Sequence, residues 1–313
     1  MEMNEVLDQF RPWADLPIDI LFSIANRLTL IELLSFRGTC KDFRCASFSA
    51  SAKNKPGQIP WLIFHKPNSP ECLIYNKLDS KSYKRNIQEL EGAICLASYQ
   101  GWLLLFKNES VFFFSPFSLA KITLPNFPHQ EIEGHVASFS DIPTSPHCIV
   151  SILNRINDSD DFELHVISKG QSVWTHYNVE KGRLRSNVAG ATFDHKTQTF
   201  HYLDDKKYLL TFSVNEKKWK PFTIVKAEEK FDGPCLPYLY SRTEFFDTIE
   251  KKRDEFDLED DEYVAVCGLT FEKYGCPKVY LNEVVDASPT KNRMRRAVWI
   301  QPRFFEAGPN HHW

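Results

Sequence analysis

The chain has 313 residues, 42% of them hydrophobic and 25% charged, enough to bury a sizeable core and in proportion to about two domains. That balance excludes a mainly disordered chain, a collagen or coiled-coil rod and a small disulfide scaffold. The formal net charge of −3 supplies no global basic field, so no nucleic-acid partner is expected.

The first six residues carry two acids and no long apolar run, so no secretory signal is expected. No segment approaches the roughly 20 apolar residues that span a bilayer, and no membrane partner is expected. Eight cysteines, at 40, 45, 72, 95, 148, 235, 267 and 276, include no C-x2-C pair. Reduced thiols and an intracellular setting, nucleus or cytoplasm, are the expectation.

Up to residue 50 the apolar period is helical. Ile18, Leu21, Ile24 and Leu28 fall on one helix face, and Pro17 suits a first turn. Thr29-Leu-Ile-Glu32 has the form of a capping box for a second helix through Leu33, Leu34 and Phe36, with Gly38 as its stop. Thr39-Cys-Lys-Asp42 can cap a third helix that carries Cys40, Phe43 and Ala46.

Residues 51–60 have linker chemistry. Beyond them, short apolar runs alternate with turn residues at 61–64, 72–75, 93–97, 103–106, 111–114, 136–139, 149–153, 162–167 and 208–212. Spacing of about ten residues, with 14% aromatic content, points to a sandwich, barrel or propeller. A strand, turn and returning strand begins at Val111, again at Phe162 and again at Tyr208. A period of about 50 residues is that of a kelch-type propeller blade. Trp102, Trp174 and Trp219 then belong to blade cores.

Trp13-Ala-Asp-Leu-Pro-Ile-Asp-Ile-Leu21, Leu33-Leu34 and Cys40-Lys-Asp-Phe-Arg44 together resemble the F-box. Two mild departures are Thr39, where the family usually has Val, and Phe43, where it usually has Trp. The body resembles the plant F-box proteins with a KIB-type β-propeller. Cys95–Leu105, Phe112–Pro125 and Phe139–Cys148 look like successive signatures of that family. The resemblance covers roughly residues 13–225; the charged stretch at 226–262 and the tail at 301–313 do not follow it. The expectation is an α plus all-β chain. A three-helix F-box at 1–50 precedes a kelch-like propeller at 61–300, which is allowed to be irregular or incomplete.

The resemblance implies a substrate receptor of an SCF ubiquitin ligase. The F-box would bind a Skp-type adaptor, which bridges to cullin and RING subunits, and the propeller would hold an unidentified protein substrate. Three short helices cannot hide Leu16, Pro17, Ile20, Leu21, Leu33, Leu34, Cys40 and Phe43 from water, so these are the candidate adaptor-binding residues. The rival is a protein-binding propeller outside any ligase, with a vestigial or inward-packed F-box. Among charged segments, Lys291-Asn-Arg-Met-Arg-Arg296 is ordinary surface charge, a nuclear-import signal or a phosphate-facing patch.

No G-x-S-x-G, H-E-x-x-H, G-x-x-x-x-G-K-[ST] or G-x-G-x-x-G is present. His195 and His201 flank an expected hairpin turn, with no carboxylate spacing to complete a metal site. No catalytic residue, no cofactor and no metal ligand is therefore assigned, and the chain is expected not to be an enzyme.

Overall fold

The computed structural model describes residues 16–47, 50, 61–66, 68–76, 80–132, 135–156, 161–179, 188–204, 208–223, 263–267, 270–273, 276–279, 294–303 and 313. The expected linker at 51–60 and charged insert at 226–262 lie outside them. The chain divides into two compact units, Met1–Gly57 and Gln58–Trp313.

The first unit holds helices α1 (Ile18–Ala25), α2 (Leu30–Thr39) and α3 (Lys41–Ala46). The Pro17 carbonyl accepts from the Ile20 and Leu21 amides and so starts α1. A carboxylate oxygen of Glu32 accepts from the Thr29 amide and hydroxyl, both at 2.9 Å, and fixes the start of α2. Three local expectations change. Helix α1 ends at Ala25, where the Asn26 amide and side chain both bond the Phe22 carbonyl, so Leu28 lies beyond it. Gly38 lies inside α2; the break comes at Cys40, whose φ of −160° is extended. The Thr39 hydroxyl donates back to the Ser35 carbonyl at 3.2 Å, so it serves α2 rather than capping α3.

The second unit is built of sheets. Strands β1 (Trp61–His65), β2 (Glu71–Asn76) and β3 (Lys81–Asn86) come first, then β4 (Ile94–Tyr99), β5 (Trp102–Lys107), β6 (Ser110–Phe114) and β7 (Lys121–Thr123). Next are β8 (Val136–Phe139), β9 (Ile149–Arg155), β10 (Phe162–Ser168) and β11 (Thr175–Asn178). β12 (Val188–Asp194), β13 (Thr199–Asp204), β14 (Tyr208–Ser213) and β15 (Lys218–Thr223) follow, and the last are β16 (Tyr263–Cys267), β17 (Thr270–Lys273), β18 (Cys276–Val279) and β19 (Met294–Ile300).

Three sheets are antiparallel meanders of four strands: β4–β7, β8–β11 and β12–β15. A fourth has the order β16-β19-β1-β2-β3 and so joins early and late strands of the unit. The pair β17–β18 forms a fifth, two-stranded sheet. The leading strands β4, β8 and β12 pack side by side, β16 and β19 lie next to β4, and β18 lies next to β12. The sheets therefore radiate from their leading strands, which is propeller architecture. The expected α plus all-β fold stands: three regular blades, one composite blade and one hairpin among the described residues.

The repeat read at 111, 162 and 208 marks equivalent strands, the third of each regular blade: β6, β10 and β14. Burial explains the continuous apolar runs. In β9, Ile152 packs into a core with Trp102, Phe113 and Phe139, while Leu153 faces the next core with Phe162, Phe200 and Phe212. Successive side chains point to opposite faces of the sheet, and here both faces are covered by neighbouring blades.

Candidate functional site

Helix α1 has six apolar residues among its eight, more than one buried stripe can hold, with Asp19 and Ser23 as its polar side. Leu21 and Ala25, one turn apart, are buried, as are Leu30, Leu33 and Ala46. Ile18, Ile20, Phe22 and Ile24 remain 60%, 48%, 40% and 37% exposed. The other exposed large hydrophobics among the described residues are Leu119 and Val173, so the surface apolar load concentrates on α1. An exposed apolar cluster of this kind marks a contact surface.

The candidate adaptor-binding residues separate into three groups. Pro17 and Ile20 are exposed. Leu16, Leu34, Cys40 and Phe43 are half-buried, with the Phe43 ring 4.5 Å from that of Phe36. Leu21 and Leu33 are buried and do not face solvent. Ile18, Phe22 and Ile24 join the exposed surface, so the face that the sequence reading drew through Ile18, Leu21 and Ile24 is divided, with Leu21 alone of the three buried. The signal was available: α1 has too many apolar positions for one stripe.

The three tryptophans sit at blade interfaces in different ways. Trp102 opens β5 and is fully buried. Trp174, just before β11, donates its indole N–H to the Pro125 carbonyl beyond β7 at 3.0 Å. Trp219 in β15 is half-buried and donates to the Asn178 carbonyl at the end of β11, also at 3.0 Å. Each of these last two reaches from in or beside the outer strand of one blade to the end of, or just beyond, the outer strand of the blade before it.

A second cluster lies where the β4–β7 and β8–β11 blades meet. Glu163 and His165 on β10 are two residues apart and share a face. His176 on β11 is the register partner of His165. His129 comes from the segment between β7 and β8. His129 Nε2 lies 2.5 Å from Glu163 Oε1 and 3.1 Å from His165 Nε2. His165 Nε2 is 3.3 Å from Oε1, and His176 Nε2 is 3.0 Å from Oε2. The Phe127 ring stands 5.6 Å from His129, 5.1 Å from His165 and 5.2 Å from Trp174. His129, Glu163, His165, His176 and Trp174 line an open cavity of about 320 Å³ together with Asn126, Pro128 and Val173.

Burial pushes the His165 imidazole down to about 4, against the pull of the adjacent Glu163 carboxylate, so it is neutral at physiological pH. Sequence reading missed this cluster. Glu163-Leu-His165 and Trp174-Thr-His176 were read as a strand repeat, and a ligand set from a loop and two strands has no fixed spacing. The detectable signal was Glu-x-His on a strand, which places both side chains on one face.

Comparison with known proteins places this geometry. The KIB1-4 beta-propeller family model matches residues 64–267, well over half of the chain. The chain belongs to the KIB1-4 beta-propeller family. An F-box domain model matches residues 13–52, which span all three helices. The F-box/kelch-repeat protein At1g57790 of Arabidopsis thaliana is 27% identical over 215 residues, covering 68% of this chain and 59% of that protein. The F-box/kelch-repeat protein At3g18720 of the same plant is 26% identical over 224 residues, covering 67% and 56%. The putative F-box protein At4g17565, also of Arabidopsis, is 31% identical over 132 residues, covering 39% and 34%. This KIB1-4 chain thus spans at most 59% of the length of these relatives.

Proposed function

We propose that the chain is a substrate receptor of an SCF-type ubiquitin ligase. In this reading the F-box binds a Skp-type adaptor, and through it cullin and RING subunits, while the propeller holds the protein to be ubiquitylated. The chain carries out no catalysis itself; it brings an acceptor lysine near the transferring subunits and acts by proximity. The observation that carries the proposal is the exposed apolar surface of α1, Ile18, Ile20, Phe22 and Ile24, inside the segment matched by the F-box model. Obligate contact surfaces resemble a core cut in half, and α1 has that character.

The test is co-expression of the full chain with a Skp-type adaptor, read by co-purification. Pro17 and Ile20 are exposed, so a Pro17→Ala, Ile20→Ala double variant removes contact area without opening the helical core. Anchor truncations cost about 2 kcal/mol or more each, so the variant should bind at least about tenfold more weakly. Circular dichroism of both proteins shows that the fold is intact. Folded wild-type chain that captures no adaptor refutes the receptor reading.

A further inference from the structure

The cluster of His129, Glu163, His165 and His176 has no part in the receptor reading, and its geometry poses a problem that hydrogen bonds alone do not solve. Three atoms, His129 Nε2, His165 Nε2 and Glu163 Oε1, form a triangle with edges of 2.5, 3.1 and 3.3 Å. Each imidazole Nε2 carries either one proton or one lone pair. With the carboxylate ionised, every arrangement of protons sets like against like along at least one edge. Two N–H groups face each other, or a ring lone pair faces the carboxylate oxygen. Glu163 and His165 are both buried, which raises the cost of the mismatch.

A cation inside the triangle satisfies all three donors at once. Metal–donor distances of about 2.0–2.1 Å in a tetrahedral site set donor–donor edges near roughly 3.3 Å, close to two of the three edges found. The third requires His129, which comes from a loop and is partly exposed, to move outward by less than about 1 Å. We propose that His129, His165 and Glu163 bind one divalent transition ion of the zinc type. His176 holds the second carboxylate oxygen of Glu163, at 3.0 Å, as the supporting partner that orients a ligand. Two imidazoles and one carboxylate are a borderline donor set that suits zinc, whereas magnesium and calcium take oxygen ligands. Three protein ligands leave a fourth position for water or for a donor entering from the cavity of about 320 Å³. The site bridges two blades, because His129 belongs to the connection out of β7 and the other three to β10 and β11.

The experiment uses the full chain, stripped with a chelator and dialysed. Zinc is then titrated by calorimetry, and bound metal is counted by atomic emission. The wild-type chain is expected to bind one zinc per molecule at this site and to melt at higher temperature with zinc present, since a ligand that binds only the folded state raises apparent stability. Magnesium is expected to do neither. Glu163→Gln preserves shape, and His129→Ala changes a partly exposed loop residue, so both should fold; each is expected to weaken zinc binding by about tenfold or more, and His176→Ala by about 10–100-fold. A His311→Ala, His312→Ala variant keeps the affinity and the thermal shift. Failure of folded wild-type chain to bind zinc overturns the proposal. So does undiminished affinity in both Glu163→Gln and His129→Ala, or loss of binding in the His311, His312 variant.

Discussion

Ser151 in β9 and Tyr202 in β13 join two blades through a hydrogen bond between their hydroxyls, both fully buried. Burial holds the Tyr202 phenol well above its ordinary range, so it stays protonated. A buried hydroxyl without a partner costs more than the bond itself contributes. Tyr202→Phe and Ser151→Ala should therefore each destabilise the chain by about 1–3 kcal/mol, because each leaves one hydroxyl orphaned. The double variant orphans neither and should lie close to the milder single variant. Urea unfolding of the three proteins checks this; additive losses would show that the two hydroxyls act independently. Single residues were the least legible scale of the sequence. Tyr202 lies in a strand outside the apolar runs read from the sequence, and its partner is 51 positions away. The histidine–glutamate cluster was hidden for the same reason: its members meet only after two blades pack. The exposed apolar residues of α1 were half legible, since the F-box motif located the helix but the periodicity did not separate Ile18 and Ile24, which are exposed, from Leu21, which is buried.

At the scale of elements, the tight turns carry the most local information. The β4–β5 loop is Gln100-Gly101, with φ of 46° and 83°. The β5–β6 loop is Asn108-Glu109, with φ of 49° and 63°. Each joins strands whose flanking residues pair directly, Tyr99 with Trp102 and Lys107 with Ser110. Positive φ at both central positions defines the hairpin turn that matches strand twist and favours Asn-Gly. Glu109 supplies the wrong residue for the second position. A left-handed conformation costs an ordinary residue about 1–2 kcal/mol, whereas glycine adds roughly 0.5–1 kcal/mol of chain entropy. Glu109→Gly should therefore stabilise the propeller by about 0.5–1 kcal/mol, read as a rise in the urea midpoint with an unchanged slope. A fall in the midpoint would mean that the Glu109 side chain makes a contact worth more than the strain. Strand positions were legible because the apolar runs are short and punctuated. Helix ends were less so. Gly38 looked like a stop, yet it sits within α2 with nothing within 4 Å of a Cβ built on it, and the extended backbone at Cys40 makes the break.

At the scale of the whole propeller, β1 is the centre of the composite blade. It pairs with β2 on one side and β19 on the other, with Trp61 opposite Ile300 and His65 opposite Arg296. This pairing joins residues more than 200 positions apart, and no local periodicity reports it. The sequence reading accordingly found the regular blades through their repeat and left the far end open. The Lys291–Arg296 basic cluster, read there as surface charge, a nuclear-import signal or a phosphate-facing patch, includes Met294–Arg296, which begin β19. Arg303 then donates to the Gln100 side chain at 2.8 Å, which ties this end to the β4–β5 turn. Trp313, expected in a tail, stacks on Phe113 at 5.7 Å with Lys169 over its ring. Removal of residues 294–313 should therefore do more than trim an edge. Leu62 and Ile63 in β1 are fully buried, and loss of β19 leaves the backbone of β1 unpaired on that side. An exposed apolar strand edge invites pairing with other chains. A chain ending at residue 293 should lose its cooperative melt, bind a hydrophobic dye and aggregate, while a Trp313→Ala variant of the full chain should melt cooperatively at a lower temperature. Calorimetry and light scattering separate these outcomes. A truncated chain that melted as sharply as the full one would show that the composite blade does not hold the ring closed.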